Sequence, residues 1–293
     1  MITVFTPTYN RAKLLTRLYR SLQEQTYKNF EWLIVDDGST DETDLVVNEL
    51  KNGQQNFPIR YFKTENGGKH RAINYGVSKA MGEAFFIVDS DDWLPSNALS
   101  DISYYFEQVQ FDHAFAGVAG LKVAHNGTGK EKSFNGEYLD ATSLERHQYG
   151  IIGEKAEVFQ TELLKNYPFP VYDGENFISE AIVWNKIAYD GLKLRWFNRC
   201  VYIYEYQEDG LTNNLRKRYQ NNPRGYLSYV EQEIRFQKRR GIKKYLLYGK
   251  CFQTVKHSKI TNRTVRKLLG IHLFQELVAK IIFIPYSLIR GKK

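Results

Sequence analysis

Between residues 1 and 95, short and uniformly apolar runs alternate with stretches whose apolar residues recur every three or four positions. ITVFTP (2–7), EWLIVDDGSTD (31–41), IRYF (59–62) and AFFIVD (84–89) read as strands, stopped by proline, glycine or acids. RAKLLTRLYRSLQEQ (11–25) carries Leu14, Leu15, Leu18 and Leu22 at helical spacing. Residues 42–51 form a shorter helix, and GGKHRAINYGVSKAMG (67–82) opens on two glycines and continues as a helix. Strands that are apolar throughout and joined by helices predict a parallel sheet covered on both faces. In such sheets ligands bind beyond the carboxyl ends of the strands. TPTYN, DDGSTD and DSDD each end a strand, so the three motifs are expected to meet in one crevice.

After residue 95 the alternation stops. Helices are expected over 97–109, 155–166 and 177–190, and strands over 114–138, around an HNGTGK turn, and over 195–206. From 215 onward the chain is basic and reads as helical. No internal repeat or low-complexity linker interrupts it. The apolar content of 42% and aromatic content of 15% support a sizeable core and exclude global disorder. Cys200 and Cys251 lack CxxC spacing, which argues against a disulfide framework or a thiolate zinc site. MITVFTPTYN has neither the basic region nor the long apolar run of a signal peptide, so the reducing cytosol is the expected compartment.

Charge changes the picture most in the last quarter. Residues 215–293 carry 20 Lys and Arg against 3 Asp and Glu, while residues 1–214 carry 21 against 30. Such a tail suits an anionic partner, either nucleic acid or a membrane face. IHLFQELVAKIIFIPYSLIRGKK (271–293) is apolar for much of its length, but Glu276, Lys280 and Pro285 argue against a bilayer span. It reads as an interfacial helix on an anionic membrane surface, and nucleic acid is not expected. A helix closing the core, or a dimer interface, is the plainer alternative.

FFIVDSDDWL (85–94) runs a buried strand into three carboxylates, Asp89, Asp91 and Asp92. Like charges this close repel one another and resist desolvation, so a positive partner is expected. A DxD at a strand end suits a hard divalent cation, Mg²⁺ or Mn²⁺, that keeps coordination positions open for phosphate oxygens. A solvated acidic turn is the alternative. DDGSTD could be a helix N-terminus capped by Ser39 or Thr40, which leaves the adjacent Asp36 and Asp37 unexplained. NGGKHRAIN (66–74) offers backbone N–H groups at a helix start with Lys69, His70 and Arg71, a setting for a diphosphate. An ordinary glycine turn with an exposed basic helix face explains it equally well.

TPTYNR (6–11), VDDGSTD (35–41), ENGGKHRAIN (65–74) and VDSDD (88–92), in this order and spacing, resemble the N-terminal half of family 2 glycosyltransferases. The resemblance covers residues 1–95 strongly and runs more weakly to about 212. It implies an α/β GT-A fold, a Rossmann-like and mostly parallel sheet with flanking helices, followed by the basic helical extension over 213–293. The domain over 1–212 then divides into a nucleotide-binding half (1–95) and an acceptor half (96–212). A nucleotide-sugar donor, usually UDP-linked, a divalent cation and inversion at the anomeric carbon are implied with it. Position by position, Thr6, Pro7 and Tyr9 match the loop bordering the nucleoside, and Asp36 matches the acid that hydrogen-bonds uracil, with Asp37 beside it. Lys69 lies in the segment facing the nucleotide. Asp89 matches the first acid of the DxD, Asp91 the metal-ligating acid, with Ser90 between them and Asp92 adjacent. Where many members carry Arg before the Asn of ENGGKHRAIN, this chain has Ile73, so Lys69, His70 or Arg71 must supply the cation.

An inverting transfer also needs a base for the acceptor hydroxyl. The family places an acidic pair at a helix start well after the DxD, and ENFISEAIVWNKIA (175–188) stands there. Glu180 lies three residues after Phe177 and four before Trp184, which on a continuous helix sets it beside an apolar stripe and favours a raised pKa. Ala181 replaces the second acid, and Glu175 and Asp173 are the fallbacks. YEYQEDGLTNN (204–214) sits where related enzymes have a loop that closes over the donor, which would set Asp209 or Thr212 near phosphate or metal; a plain surface turn is the favoured reading. The implied acceptor is a saccharide or a polyprenyl-linked saccharide, used at the inner face of the cell membrane in bacterial surface polysaccharide synthesis. Two other classes compete. A nucleotidyltransferase would carry a glycine-rich basic loop after the first strand, which TPTYNRAK lacks. A nucleic-acid or membrane-binding module would leave DDGSTD and DSDD without a role.

Overall fold

The computed structural model describes residues 1–54, 56–126, 134–205, 215–256, 258 and 260–290. The chain divides into two compact units, one of Met1–Pro168 with Ile187–Glu208, the other of Phe169–Lys186 with Asp209–Lys293.

The first unit begins with the expected alternation: β1 (Ile2–Thr8), α1 (Ala12–Gln23), β2 (Phe30–Asp36), α2 (Thr43–Asn52), β3 (Ile59–Lys63), α3 (Lys69–Lys79) and β4 (Ala84–Ile87). The four strands are parallel in the order β3-β2-β1-β4. Successive side chains leave opposite faces of a strand. Val4, Trp32 and Phe86 therefore join one buried cluster with Leu15, Leu18 and Leu22 of α1. Phe5 leaves the other face and meets α3, where a Cβ on Gly76 would come within 2.2 Å of its ring. Only glycine lets the helix lie that close.

The sheet then continues through α4 (Ala98–Glu107), β5 (Phe115–Ala124), β6 (Tyr138–Ala141), β7 (Lys155–Gln160), α5 (Thr161–Lys165), α6 (Ala181–Tyr189) and β8 (Lys193–Tyr204). The full order is β3-β2-β1-β4-β7-β5-β8-β6. β7 is antiparallel to β4 and β5, β5 is parallel to β8, and β6 is antiparallel to β8. Three expectations need correction. The helix expected over 155–166 is mostly strand: Lys155, Ala156, Glu157 and Gln160 favour helix, yet pairing between β4 and β5 buries Ala156 and Val158 and overrides that preference. Of the strands expected over 114–138, only β5 falls within that range; β6 starts at Tyr138 and pairs with β8, and residues 127–133, with most of the HNGTGK turn, lie outside the described residues. The helix expected from 177 starts at Ala181.

The second unit contains α7 (Leu215–Asn221), α8 (Pro223–Phe236), α9 (Gly241–Val255), α10 (Asn262–Leu269) and α11 (Leu273–Arg290) around Tyr226, Val230, Cys251, Phe252 and Val265. Segment 169–186 is laced to the start of α8. Glu175 accepts the Arg224 and Gly225 N–H groups at 2.7 and 2.9 Å, and Asn222 Oδ1 accepts those of Asn176 and Phe177 at 2.7 and 3.0 Å. α11 closes this core with one side, burying Ala279 and Glu276, whose carboxylate is held by Arg266, Lys280 and Asn262. Leu273, Phe274, Leu277 and Ile281 form an exposed apolar stripe on the same helix. Among the described residues no helix is long and apolar enough to cross a membrane.

Candidate active site

The three strand-end motifs interlock beyond β1, β2 and β4. Thr8 stands opposite Asp36 in the sheet register, Asp37 N–H donates to the Thr8 carbonyl at 2.8 Å, and Val88 N–H to that of Phe5 at 2.8 Å. Asn10 takes a left-handed φ of +52°, a conformation asparagine tolerates. Its Oδ1 accepts the Thr40 N–H at 2.8 Å, and its own N–H donates to Ser39 Oγ at 2.9 Å. The first loop is thereby bound to the second.

Not every residue expected at the nucleoside faces the crevice. Tyr9 is exposed, but Pro7 and Thr6 are buried, and Thr6 Oγ1 accepts the Trp32 indole N–H at 2.9 Å. Asp36 is fully buried, its carboxylate accepting the Ser39 N–H and the Tyr61 hydroxyl, each at 2.7 Å. Burial, together with that carboxylate, pushes the Tyr61 pKa up. Asp37 accepts the Gly67 and Gly68 N–H groups at 2.8 Å each and Asn66 Nδ2 at 3.3 Å. Those amides, expected to cradle a diphosphate, are therefore engaged by an anion the protein supplies itself. Gly68 makes the turn at φ +96°, a conformation that favours glycine, and caps α3. Burial raises the Asp37 pKa, against the pull of the two glycine N–H groups.

The acidic turn distributes its carboxylates into three environments. Asp89 pairs with Lys69 at 2.6 Å. Burial alone would raise its pKa, but Lys69 and then Lys122 outweigh that and hold it below the usual range. Asp92 is buried, accepts the Tyr202 hydroxyl at 2.6 Å and lies 3.8 Å from Lys122 Nζ. Burial pushes its pKa up to about 7 despite Lys122. Asp91 is half-buried, and among the described residues no ion pair holds its carboxylate; burial and the Asp89 charge raise its pKa. Its backbone carbonyl accepts from Arg17, which also pairs with Glu205 and stacks 4.1 Å from the Trp93 ring centroid. Ser90 is buried between the two acids.

These donors fit a hard divalent cation in part. Asp91 offers an open carboxylate and Asp89 one shared with Lys69, whereas the Asp92 carboxylate is engaged by Tyr202. Among the described residues no three His, Cys, Asp or Glu side chains form a ready cage. A site with so few protein ligands leaves positions for phosphate oxygens.

Sequence reasoning passed over Lys122 and Tyr202. Lys122 carried a signal, a single charge in the apolar run FAGVAGLKVA (115–124). It lies 4.4 Å from the Tyr202 ring centroid and 3.3 Å from Glu154. Burial would lower its pKa, but Asp89, Asp92 and Glu154 leave it raised. Tyr202 read as one core tyrosine among several.

In the second unit, Glu180 precedes α6. Its carbonyl accepts the Val183 and Trp184 N–H groups at 3.0 and 3.2 Å, and the residue is half-buried. Because the helix begins after it, Glu180 and Phe177 do not share a helical stripe. Of the fallbacks, Glu175 is committed to the α8 N–H groups and Asp173 is exposed. Asp209 and Thr212, expected in a loop over the donor, lie outside the described residues.

A sequence profile described as "Glycosyl transferase family 2" matches residues 3–164. A Campylobacter jejuni protein, "GalNAc(5)-diNAcBac-PP-undecaprenol beta-1,3-glucosyltransferase", is 29% identical over 256 residues, covering 83% of this chain and 78% of its own. Staphylococcus aureus poly(ribitol-phosphate) beta-N-acetylglucosaminyltransferase TarS is 30% identical over 166 residues, 56% of this chain but only 28% of that longer protein. The structure of TarS residues 1–349 with UDP-GlcNAc superposes with a TM-score of 0.65 at 20% identity, covering 99% of this chain and 92% of that one. The Pyrobaculum calidifontis mannosyltransferase PcManGT, solved with GDP-Man and Mn²⁺, gives 0.57 at 20% identity, covering 97% and 86%.

Proposed function

The chain belongs to glycosyl transferase family 2, and from that premise we propose that it transfers a sugar from a UDP-linked donor, with inversion, to a saccharide or polyprenyl-linked saccharide acceptor. One observation carries the reading: at the ends of parallel strands, one acidic turn presents Asp91, a carboxylate that no ion pair holds among the described residues, beside the Lys69–Asp89 pair. Asp91, with Asp89, would hold Mn²⁺ or Mg²⁺, which when bound offsets the charge of the departing diphosphate. Lys69 is close enough to Asp89 to exchange that partner for a phosphate oxygen. Asp36 and Asp37 hold the two loops that shape the crevice, and Tyr9 offers its ring to the nucleoside.

Glu180 is the proposed base, supported by its place at a helix start and by the family pattern. It takes the proton of the acceptor hydroxyl as that oxygen bonds to the anomeric carbon from the face opposite the diphosphate. UDP leaves with the electron pair of the broken bond.

The stripe of Leu273, Phe274, Leu277 and Ile281, in a region with 20 basic residues against 3 acidic, supports peripheral binding to an anionic inner-membrane surface. A polyprenyl-diphosphate acceptor, like the one in the name of the Campylobacter relative, would be met there.

Calorimetric titration of UDP, with Mn²⁺ and then with EDTA, on wild type and Asp91→Ala tests the donor site. Binding that requires both the metal and Asp91 supports it. Absence of UDP binding under every condition removes the UDP assignment.

A further inference from the structure

We propose that Tyr202, near the end of β8, is a positioning residue that fixes the Asp89–Asp92 turn for metal and donor binding. The inference rests on the donor-site reading above. Asp89–Asp92 lies beyond the last residue of β4, so the sheet ladder does not hold it. The Tyr202 hydroxyl accepts the Asp89 N–H at 3.0 Å and donates to Asp92 Oδ2 at 2.6 Å. One oxygen thus spans both ends of the turn, with Asp91 between them. The Asp92 N–H donates to the Asp89 carbonyl at 3.1 Å and closes the same turn from within.

The phenol is itself immobilised. It is 3% exposed, sits edge-on to Phe86 with centroids 6.1 Å apart, and carries Lys122 Nζ over its face. Phe86 belongs to β4, the strand from which the turn springs, so the hydroxyl is referenced to that strand. The rest of the β8 end reinforces the hold. Trp93 and Ile203 exchange two backbone hydrogen bonds of 3.1 and 2.9 Å, and the Glu205 N–H reaches Asp92 Oδ1 at 3.3 Å. These bonds fix the chain after the turn. Tyr202 is the side chain that accepts the Asp89 N–H, ahead of Asp91. A core tyrosine that merely satisfies its own hydroxyl needs one partner; this one uses donor and acceptor on the two ends of the candidate metal site.

Tyr202→Phe removes the hydroxyl and keeps the ring. Partners that orient metal ligands typically alter affinity or activity about 10–100-fold when removed, and a loss of that size is expected in Mn²⁺-dependent UDP affinity. The Asp89 amide should exchange faster with deuterium. Tyr105→Phe is the control: Tyr105 is equally buried and also loses a hydroxyl, one that bonds Glu137 away from the turn. It should leave UDP affinity unchanged. Wild-type UDP affinity in Tyr202→Phe, or an equal loss in Tyr105→Phe, overturns the inference. If the wild type binds no UDP, the donor reading falls instead, and amide exchange decides the positioning role: faster exchange at Asp89 supports it, unchanged exchange overturns it.

Discussion

Replacing Asp37 with Asn tests whether an internal anion organises the glycine loop. The Asp37 carboxylate, 5% exposed, accepts the Gly67 and Gly68 N–H groups on separate oxygens, with Asn66 Nδ2 on the second. Asparagine keeps the shape and one acceptor. Its NH₂ must then face an N–H donor, so one bond is lost and a buried donor is left unpaired. A lost bond to a charged group costs about 1.5–3 kcal/mol and an unpaired buried donor about 1–3 kcal/mol. Burial already raises the Asp37 pKa, so the charge-assisted part falls at the low end, and a loss of about 2–4 kcal/mol is expected. For a unit of this size that corresponds to a fall in Tm of roughly 4–16 °C. Gly68, at φ +96°, would lose its anchor, and Lys69 beside it would lose its fixed place against Asp89. Scanning calorimetry with UDP titration well below the transition measures both effects. A Tm within about 1 °C of wild type, with unchanged UDP affinity, would refute the argument.

His70 is 1% exposed, with neither ring nitrogen hydrogen-bonded among the described residues, and burial, with Arg71 nearby, lowers its pKa to about 4 from 6.5. The unfolded chain takes up a proton there below about 6.5 while the folded one resists until about 4, so stability should fall by about 3 kcal/mol across that window as pH drops. His70→Leu should flatten that limb in urea titrations at pH 8 and pH 4; identical slopes for the two proteins would exclude His70 as its source. Glu180→Gln should lower turnover by about 10²–10⁴-fold while leaving UDP affinity intact; turnover at the wild-type rate would remove Glu180 as base. Phe274→Glu with Ile281→Glu should weaken sedimentation with anionic vesicles on the order of a hundred-fold without changing Tm, since both side chains are exposed. Loss of self-association in place of vesicle binding would identify the stripe as an interface between copies.

The first half of the fold was legible because its strands are apolar on both faces and its helices carry one apolar face, so local pattern and tertiary environment agree. Agreement failed where long-range pairing decided. In KAEVFQ only Val158 and Phe159 favour a strand locally, and the order of β7 comes from β4 and β5 on either side. The start of α6 was misplaced because ENFIS carries apolar residues at helical spacing but is held by Asn222 and by Glu175, which is bound to the start of α8. Within the site, residue types and strand ends were readable and side-chain assignments were not. DDGSTD and NGG looked like two separate ligand-binding loops; Asp37 binding both glycine amides makes them one structural unit. Asp89 and Tyr202 are 113 residues apart, and no spacing rule reaches that far.

The cost of gathering three carboxylates in one turn is distributed unequally, and that inequality gives the turn its chemistry. Asp92 is removed from water but receives the Tyr202 hydroxyl and the field of Lys122, and its raised pKa lowers the charge it contributes. Asp89 keeps its charge because Lys69 touches it. Asp91 has no ion pair among the described residues: burial first, and then the Asp89 charge, raise its pKa, against the weaker pull of Arg11 and Lys69. On the proposed reading, a cation at Asp91 would relieve a carboxylate that burial and Asp89 disfavour, with the backbone on either side fixed by Tyr202 and by the Trp93–Ile203 bonds. Little reorganisation is then needed on binding, which is what preorganised electrostatic sites require. Removing Lys69 or Lys122 would spread the repulsion over all three acids. The lysines thus belong to the site as much as the aspartates do, although the acids alone announced it in the sequence.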